Sequence, residues 1–296
     1  MSHGEAQQVE EGKDAIAEHY NRHDENSTYD SAWFYSDPAY QAFLADTIRQ
    51  QFAAANGEED KDHLQARDVI LDIGCGNGTF TRLLADRCGT LGPAYGFDPF
   101  LSPESGGNFV ALPNMGAIEF ARDIGAVARA AAASAPDRAP PVFSKVLLKE
   151  VVHHINEDFA EFCQRTAEYF HTSEQRCALL VATRLADPKS YPFFEAARET
   201  WRSGQMDAQV YADQMAANGL KNVRQFIKGF RVEMPLQQWK QMIRNRFWSN
   251  FGCLSDQQIE AGLEEMGEFK EFQKEGDPTT IVFYDNFVFI TGQLGA

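Results

Sequence analysis

Short apolar runs alternate with stretches of helical period through the middle of the chain. Val69-Ile70-Leu71 is the first such run. It has no polar face, which suits a strand buried on both sides of a parallel sheet. The same reading predicts strands at 69–73, 94–97, 109–112, 145–148 and 178–182. Helical patterns fill the gaps at about 79–88, 117–133 and a segment holding Phe159, Phe162, Ala167 and Phe170. Strands that alternate with helices imply an α/β protein with a doubly wound parallel sheet. Loops are marked by Asp98-Pro99, by the Ser-, Pro- and Gly-rich 101–108, and by the Pro-rich 135–141.

Both ends of the chain read differently. Residues 1–12 are polar and acidic, and 13–56 have helical character, with Ala15, Ile16, His19 and Tyr20 on one face. Asp37-Pro38 predicts a helix start, since proline suits the first turn. That helix continues through Phe43, Leu44, Thr47, Ile48 and Phe52 to Asn56-Gly57, and a charged linker follows from Glu58 to His63. In the tail, Val223 to Met234 and Thr280 to Thr291 are rich in β-branched and aromatic residues and predict strands. A helical insert, Leu236 to Phe272, lies between them.

Composition narrows the functional classes. The chain has 296 residues, 44% of them hydrophobic, enough for a sizeable core. Its net charge is −16. Such a surface repels a phosphate backbone, so nucleic acid is not an expected partner. Cys75, Cys88, Cys163, Cys177 and Cys253 form neither a C-x-x-C pair nor a zinc spacing, so no metal and no disulfide framework is expected. A reducing, cytoplasmic setting fits them. The first residues lack a basic and apolar leader, and no run reaches the ~18 apolar residues of a bilayer span.

The chemistry concentrates at 68–80, Asp-Val-Ile-Leu-Asp-Ile-Gly-Cys-Gly-Asn-Gly-Thr-Phe. Gly74, Gly76 and Gly78 permit a tight turn and a close approach of backbone to a ligand. A dinucleotide fingerprint would read G-x-G-x-x-G; here Thr79 stands at the third glycine position and Asp72 enters the turn. The pattern D-x-G-x-G-x-G resembles the first motif of class I S-adenosylmethionine-dependent methyltransferases of the small-molecule type. The resemblance covers about 67–185 well and the last strand pair more loosely.

That resemblance implies a mostly parallel seven-stranded sheet with an antiparallel edge strand, an N-terminal helical lid and a helical insert before the last strand. The expected division is a lid over 1–66, a donor-binding core over 67–186, and substrate-covering helices with edge strands over 187–296. S-adenosylmethionine is the implied cofactor. Asp72, Gly74, Cys75, Gly76, Asn77 and Gly78 would cradle it. Asp98, with Pro99 behind it, would take the ribose hydroxyls, because a carboxylate accepts two hydrogen bonds at once. Gly116-Ala117 matches the adenine-flanking motif, with Gly116 where the family carries Asp. Lys149 stands where backbone groups contact the methionine portion.

Methyl transfer from a sulfonium is an in-line displacement, governed chiefly by alignment. A base is needed only where the acceptor must lose a proton. His153 and His154 are the base candidates, with a structural role as the competing reading for each. Glu150 is a further base, a partner for a cationic acceptor, or a member of a salt bridge. Tyr20, Tyr29 and Trp33 are lid aromatics that could face a sulfonium or acceptor, or simply pack. Arg184, just beyond the fifth strand, and Arg246 with Trp248, in an amphipathic helix, are acceptor-binding candidates; the alternative is surface charge.

The favoured reading is methylation of a small organic acceptor, oxygen ahead of a small amine, by a monomer or homodimer that binds neither nucleic acid nor membrane. A protein methyltransferase, a catalytically silent donor-binding subunit and a dinucleotide oxidoreductase are the competing readings.

Overall fold

The computed structural model describes residues 33–56, 64, 66–133 and 140–294. The helical pattern expected before residue 33, with Tyr20 and Tyr29, lies outside the described residues, as do the linker 58–63 and most of 135–141.

In chain order the elements are a 3-10 turn Trp33–Ser36, α1 Pro38–Ala54, β1 Ile70–Ile73, α2 Thr79–Cys88, β2 Ala94–Phe97, β3 Phe109–Ala111, α3 Ala117–Arg122, α4 Ile124–Ala133 and β4 Lys145–Lys149. A 3-10 turn Val152–His154 precedes α5 Phe159–Phe170, β5 Cys177–Arg184, α6 Glu195–Gly204 and α7 Ala208–Ala217. The tail holds β6 Lys221–Pro235, α8 Leu236–Arg244, a 3-10 turn Ser249–Cys253, α9 Asp256–Glu265, β7 Gln273–Lys274 and β8 Asp277–Leu294.

The sheet order is β3-β2-β1-β4-β5-β8-β6, with the two-residue β7 paired to β8. Strands β1 to β5 are parallel, and β8 runs antiparallel to β5. This is the expected mostly parallel α/β sheet with an antiparallel strand toward its edge. From β1 the chain winds outward to β2 and β3, then returns to β4 on the other side and winds outward to β5. The carboxyl ends of β1 and β4 therefore flank the point where the strand order reverses, which is where open α/β sheets bind ligands.

Two elements, α2 and β2, match their sequence reading residue for residue, and the other strands agree to within a few residues. One expectation needs correction. The single helix over 117–133 is two helices, because Asp123 leaves helical conformation at φ −145° and ψ 57°. Its carboxylate accepts from the Ala126 amide at 2.9 Å and so caps α4.

The chain divides into two compact units. One comprises 41–185, 206–228 and 287–296 and holds the parallel strands. β1 and β5 are buried along their whole length, as expected for strands covered on both faces. At the amino-terminal end of β4, Lys145 is fully buried and its Nζ donates to Asp68 at 2.9 Å and to the Arg176 carbonyl at 2.6 Å. Asp68 also accepts from Ser144 and Asn56, so each buried charge is compensated.

The other unit comprises 1–40, 186–205 and 229–286. Its core is aromatic: Phe193 meets Trp201, Trp239, Trp248 and Phe251 at ring separations of 5.0–5.7 Å. The Trp239 indole donates to the Pro192 carbonyl at 2.7 Å. Asp285, fully buried, accepts from the Tyr40 hydroxyl at 2.7 Å and from the Tyr191 hydroxyl. No helix among the described residues is long and apolar enough to cross a membrane.

Candidate active site

β1 ends at Ile73, and the chain then turns through Gly74, Gly76 and Gly78 at φ 70°, 59° and 80°. Only glycine enters this left-handed region at low cost. Space is a second reason. A Cβ on Gly74 would fall 2.6 Å from Val151 Cγ2, and one on Gly78 would fall 2.9 Å from Phe109 Cε1. The amides of Gly74 and Cys75 both donate to the Phe97 carbonyl, at 2.9 and 3.1 Å. Gly96 in β2 must likewise lack a side chain, since a Cβ there would lie 2.9 Å from Cys75 Sγ. The turn is thus pinned against the end of β2.

The acids expected in this cradle are placed around it. Asp72 accepts from the Thr81 hydroxyl at 2.6 Å and ties β1 to α2. Asp98 is buried at the end of β2 and accepts from Gly76 at 3.0 Å through one oxygen. Its other oxygen accepts from Phe100 and Leu101 at 2.8 and 2.9 Å. A carboxylate has about four acceptor positions, so among the described residues these three bonds leave one position on the oxygen that faces Gly76. Asn77, the residue before the Gly78 cap of α2, accepts from the Thr79 amide at 2.8 Å. Burial, then Asp72 and Asp98, push the Cys75 thiol far above its ordinary range, so it stays protonated and unreactive. Pro99 is exposed beside the turn, and Gly116 precedes Ala117 at the start of α3, with its amide donating to Glu119 at 3.4 Å.

The carboxyl end of β4 carries the second group of candidates. The Lys149 ammonium lies over the Phe80 ring, 4.9 Å from its centroid. Glu150 adopts φ 58°, a left-handed conformation that is strained for a residue with a side chain. Its amide donates to the Ala182 carbonyl at 2.8 Å, and its carboxylate pairs with Arg184. Arg184 is the last residue of β5, not a residue beyond it, and is 4% exposed. Its guanidinium lies 4.6 Å over the Phe287 ring. Of the readings open to Glu150, the structure shows the salt bridge, and Arg184 is its partner.

Val151 packs on Gly74, and the 3-10 turn Val152–His154 follows at once. The two imidazoles lie close together. Their rings lie 4.0 Å apart at 48°. Desolvation holds both neutral: His154 is lowered from 6.5 to about 4, and His153 lies well below its ordinary value, with neighbouring His154 adding to the effect. His153 Nδ1 is buried and has no hydrogen-bond partner among the described residues.

Other candidates belong to the other unit. Arg246 is not on the amphipathic helix: α8 ends at Arg244, and Arg246 turns back at φ 49°. Its guanidinium donates to the Leu254 carbonyl at 3.0 and 2.8 Å and pairs with Asp256 at 2.6 Å. Trp248 is buried among the aromatic rings of its own unit, and its indole nitrogen has no hydrogen-bond partner among the described residues. The backbone of Trp33 lies in the first 3-10 turn. Sequence reading missed Thr81, Val151 and Phe109, which shape the cradle through side chains. Thr81 is the third residue of α2 and lies nine positions from Asp72, so its pairing was not legible locally.

The cradle fits an adenosine-type methyl donor on its own geometry. Three left-handed glycines keep Cβ atoms out of the turn, and Asp98 keeps one acceptor position beside it. Comparison with known proteins bears on the family. A family model described as a methyltransferase domain matches residues 39–225. No curated protein matches significantly. Among solved structures, the chain is similar to a putative methyltransferase from an antibiotic biosynthesis pathway of Anabaena variabilis, with 15% identity, 85% of this chain and 97% of that chain covered, and a TM-score of 0.49. It is also similar to the plantazolicin methyltransferase BpumL, solved with a pentazolic desmethylPZN analogue and SAH, at 10% identity, 97% and 98% coverage and a TM-score of 0.47. The YcgJ protein of Bacillus subtilis shows 14% identity, 86% and 98% coverage and a TM-score of 0.45. The family model spans more than half of the sequence, and the chain belongs to the methyltransferase domain family.

Proposed function

We propose that the protein transfers the methyl group of S-adenosylmethionine to a small organic acceptor, with an oxygen acceptor favoured over an amine. The observation that carries this reading is the glycine turn, left-handed at three residues and braced by Asp98. The donor supplies a methyl group already activated on a sulfonium, so the chain's main task is alignment. Gly74 to Gly78 would hold the donor against backbone amides, and Asp98 would accept from a ribose hydroxyl. His153 and His154, both neutral, would accept a hydrogen bond from an acceptor hydroxyl and orient it. An imidazole lowered to about 4 is a weak proton acceptor, which suits positioning of a hydroxyl better than full deprotonation.

In this reading, 67–186 binds the donor, and the choice of acceptor is assigned to 1–66 and 187–296. Trp33, Tyr20, Tyr29, Arg246 and Trp248 are candidates there. The protein would act as a monomer or homodimer in the cytoplasm. Calorimetric titration with S-adenosylhomocysteine tests the core of the proposal. Micromolar binding is expected, falling at least ~10-fold in Asp98→Ala, as for loss of a charged hydrogen bond. Binding of NAD in place of S-adenosylhomocysteine would overturn it.

A further inference from the structure

The imidazole pair sits on a short link between β4 and α5, and its ring positions follow the backbone beneath them. That backbone is held by single 3-10-type bonds. The His154 amide donates to the Val151 carbonyl at 2.9 Å, and Ile155 to Val152 and Asp158 to Ile155 at 3.0 Å each. Such bonds have poorer geometry than those of an α-helix. Both ends of the link are fixed. The Glu150 amide donates to the Ala182 carbonyl at 2.8 Å, Val151 packs on Gly74, and Phe159 is fully buried. The middle, His153 to Asn156, is half-buried.

Tyr211 reaches this middle from α7, within the same unit. Its hydroxyl donates to Asn156 Oδ1. The side chain is fully buried, its ring meets Phe159 edge-on at 5.1 Å, and its oxygen also bonds to the Met206 backbone. Packing and backbone therefore place the hydroxyl before it meets Asn156. Burial pushes the phenol far above its ordinary range, so the donor proton stays in place. Packing against Phe159 would be served by phenylalanine; the hydroxyl adds the tie to Asn156, two residues after His154. Alignment is what methyl transfer demands of the chain, and His153 carries a buried Nδ1 without a partner among the described residues. Such an atom is useful to an acceptor only where its direction is fixed.

We propose that Tyr211 is a positioning residue, whose hydroxyl, through Asn156, holds the turn that presents His153 and His154 to the methyl acceptor. This rests on the role proposed above for the two imidazoles and adds the residue that keeps their geometry.

The experiment reads the imidazoles by heteronuclear NMR of the full chain, with the exposed His171 as reference. The low value of His154, about 4, comes from burial, so its midpoint reports how tightly the turn is shut. Tyr211→Phe keeps the ring and removes the hydroxyl. Water should then enter the turn, and the His154 midpoint should rise by about one unit, a ~10-fold gain in proton affinity, while His171 does not move. Asn156→Ala removes the other partner from the half-buried side and should give the same rise. The double variant should add little to either, as for one shared bond. S-adenosylhomocysteine affinity by calorimetry should match the wild type throughout. An unchanged His154 midpoint in either variant, whatever its loss of stability, would overturn the proposal in favour of a purely structural tyrosine. Failure of the wild type to bind S-adenosylhomocysteine would remove the reaction that the imidazoles serve, and the proposal would fall for that separate reason.

Discussion

The two ends of β4 carry charge in opposite ways. At the amino-terminal end, Lys145 is fully buried and meets Asp68 and the Arg176 carbonyl, while Asp68 also accepts from Ser144 and Asn56. Four residues later, Lys149 is half-buried over an aromatic ring, and Glu150 is held at a strained φ against Arg184. Beyond it His153 keeps a buried nitrogen without a partner among the described residues. One end is closed by hydrogen bonds within the protein; the other carries a cation on a ring, an ion pair on a strained backbone and a buried imidazole nitrogen. A parallel sheet separates these tasks by direction, since ligands collect at the carboxyl ends of its strands. Conformational strain and unsatisfied polar atoms are tolerated where they serve binding.

The largest expected effect tests the closed end. Asp68→Ala strands the Lys145 ammonium in a site where burial already lowers its proton affinity. It also removes the acceptor of Ser144 and Asn56. Breaking one partner of a buried pair costs about 3–5 kcal/mol, so urea unfolding should show a loss of that size. A loss below ~1 kcal/mol would mean that water reaches Lys145 and that the two ends do not differ in kind.

The next effect belongs to the open end and is driven by pH. His154 titrates at about 4 in the folded chain against an ordinary 6.5. The folded state therefore binds fewer protons than the unfolded state between these values. Its contribution to stability is complete above pH 6.5 and is lost as pH falls toward 4. Every tenfold difference in proton affinity is worth about 1.4 kcal/mol, so the full loss is about 3 kcal/mol. His154→Gln should flatten the fall in stability between pH 6.5 and 4 measured by denaturant titration. If the variant keeps the wild-type slope, the imidazole is hydrated and the open end is not desolvated.

What the sequence revealed follows the same division. The boundaries of α2 were legible because Gly78 and Gly89, at φ 80° and 65°, bracket it. The cradle was legible because its constraints are glycines and acids close together in the chain. The Asp68–Lys145 pair spans 77 positions, and a lysine inside a core strand gives no local sign of its partner. The end of β5 was missed because Thr183 and Arg184 break the apolar run while remaining in the strand. The left-handed Glu150 was illegible, since that conformation is read from glycine and here a glutamate holds it. The break at Asp123 escaped because neither glycine nor proline marks it; a capping aspartate does the work inside an alanine-rich helical pattern.

The smallest expected effect sharpens the contrast most. Lys149→Met removes a charge only four residues from Lys145 on the same strand. The methionine stem still covers Phe80, and the lost cation–ring contact at a partly solvated site is worth roughly 0.5–1 kcal/mol. Urea unfolding should therefore place this variant within about 1 kcal/mol of the wild type, several-fold less than Asp68→Ala. A loss as large as that of Asp68→Ala would show that Lys149 is a structural member of the core, and the distinction between a closed and an open end of β4 would fail. A near-neutral result would place the cost of losing this lysine outside folding.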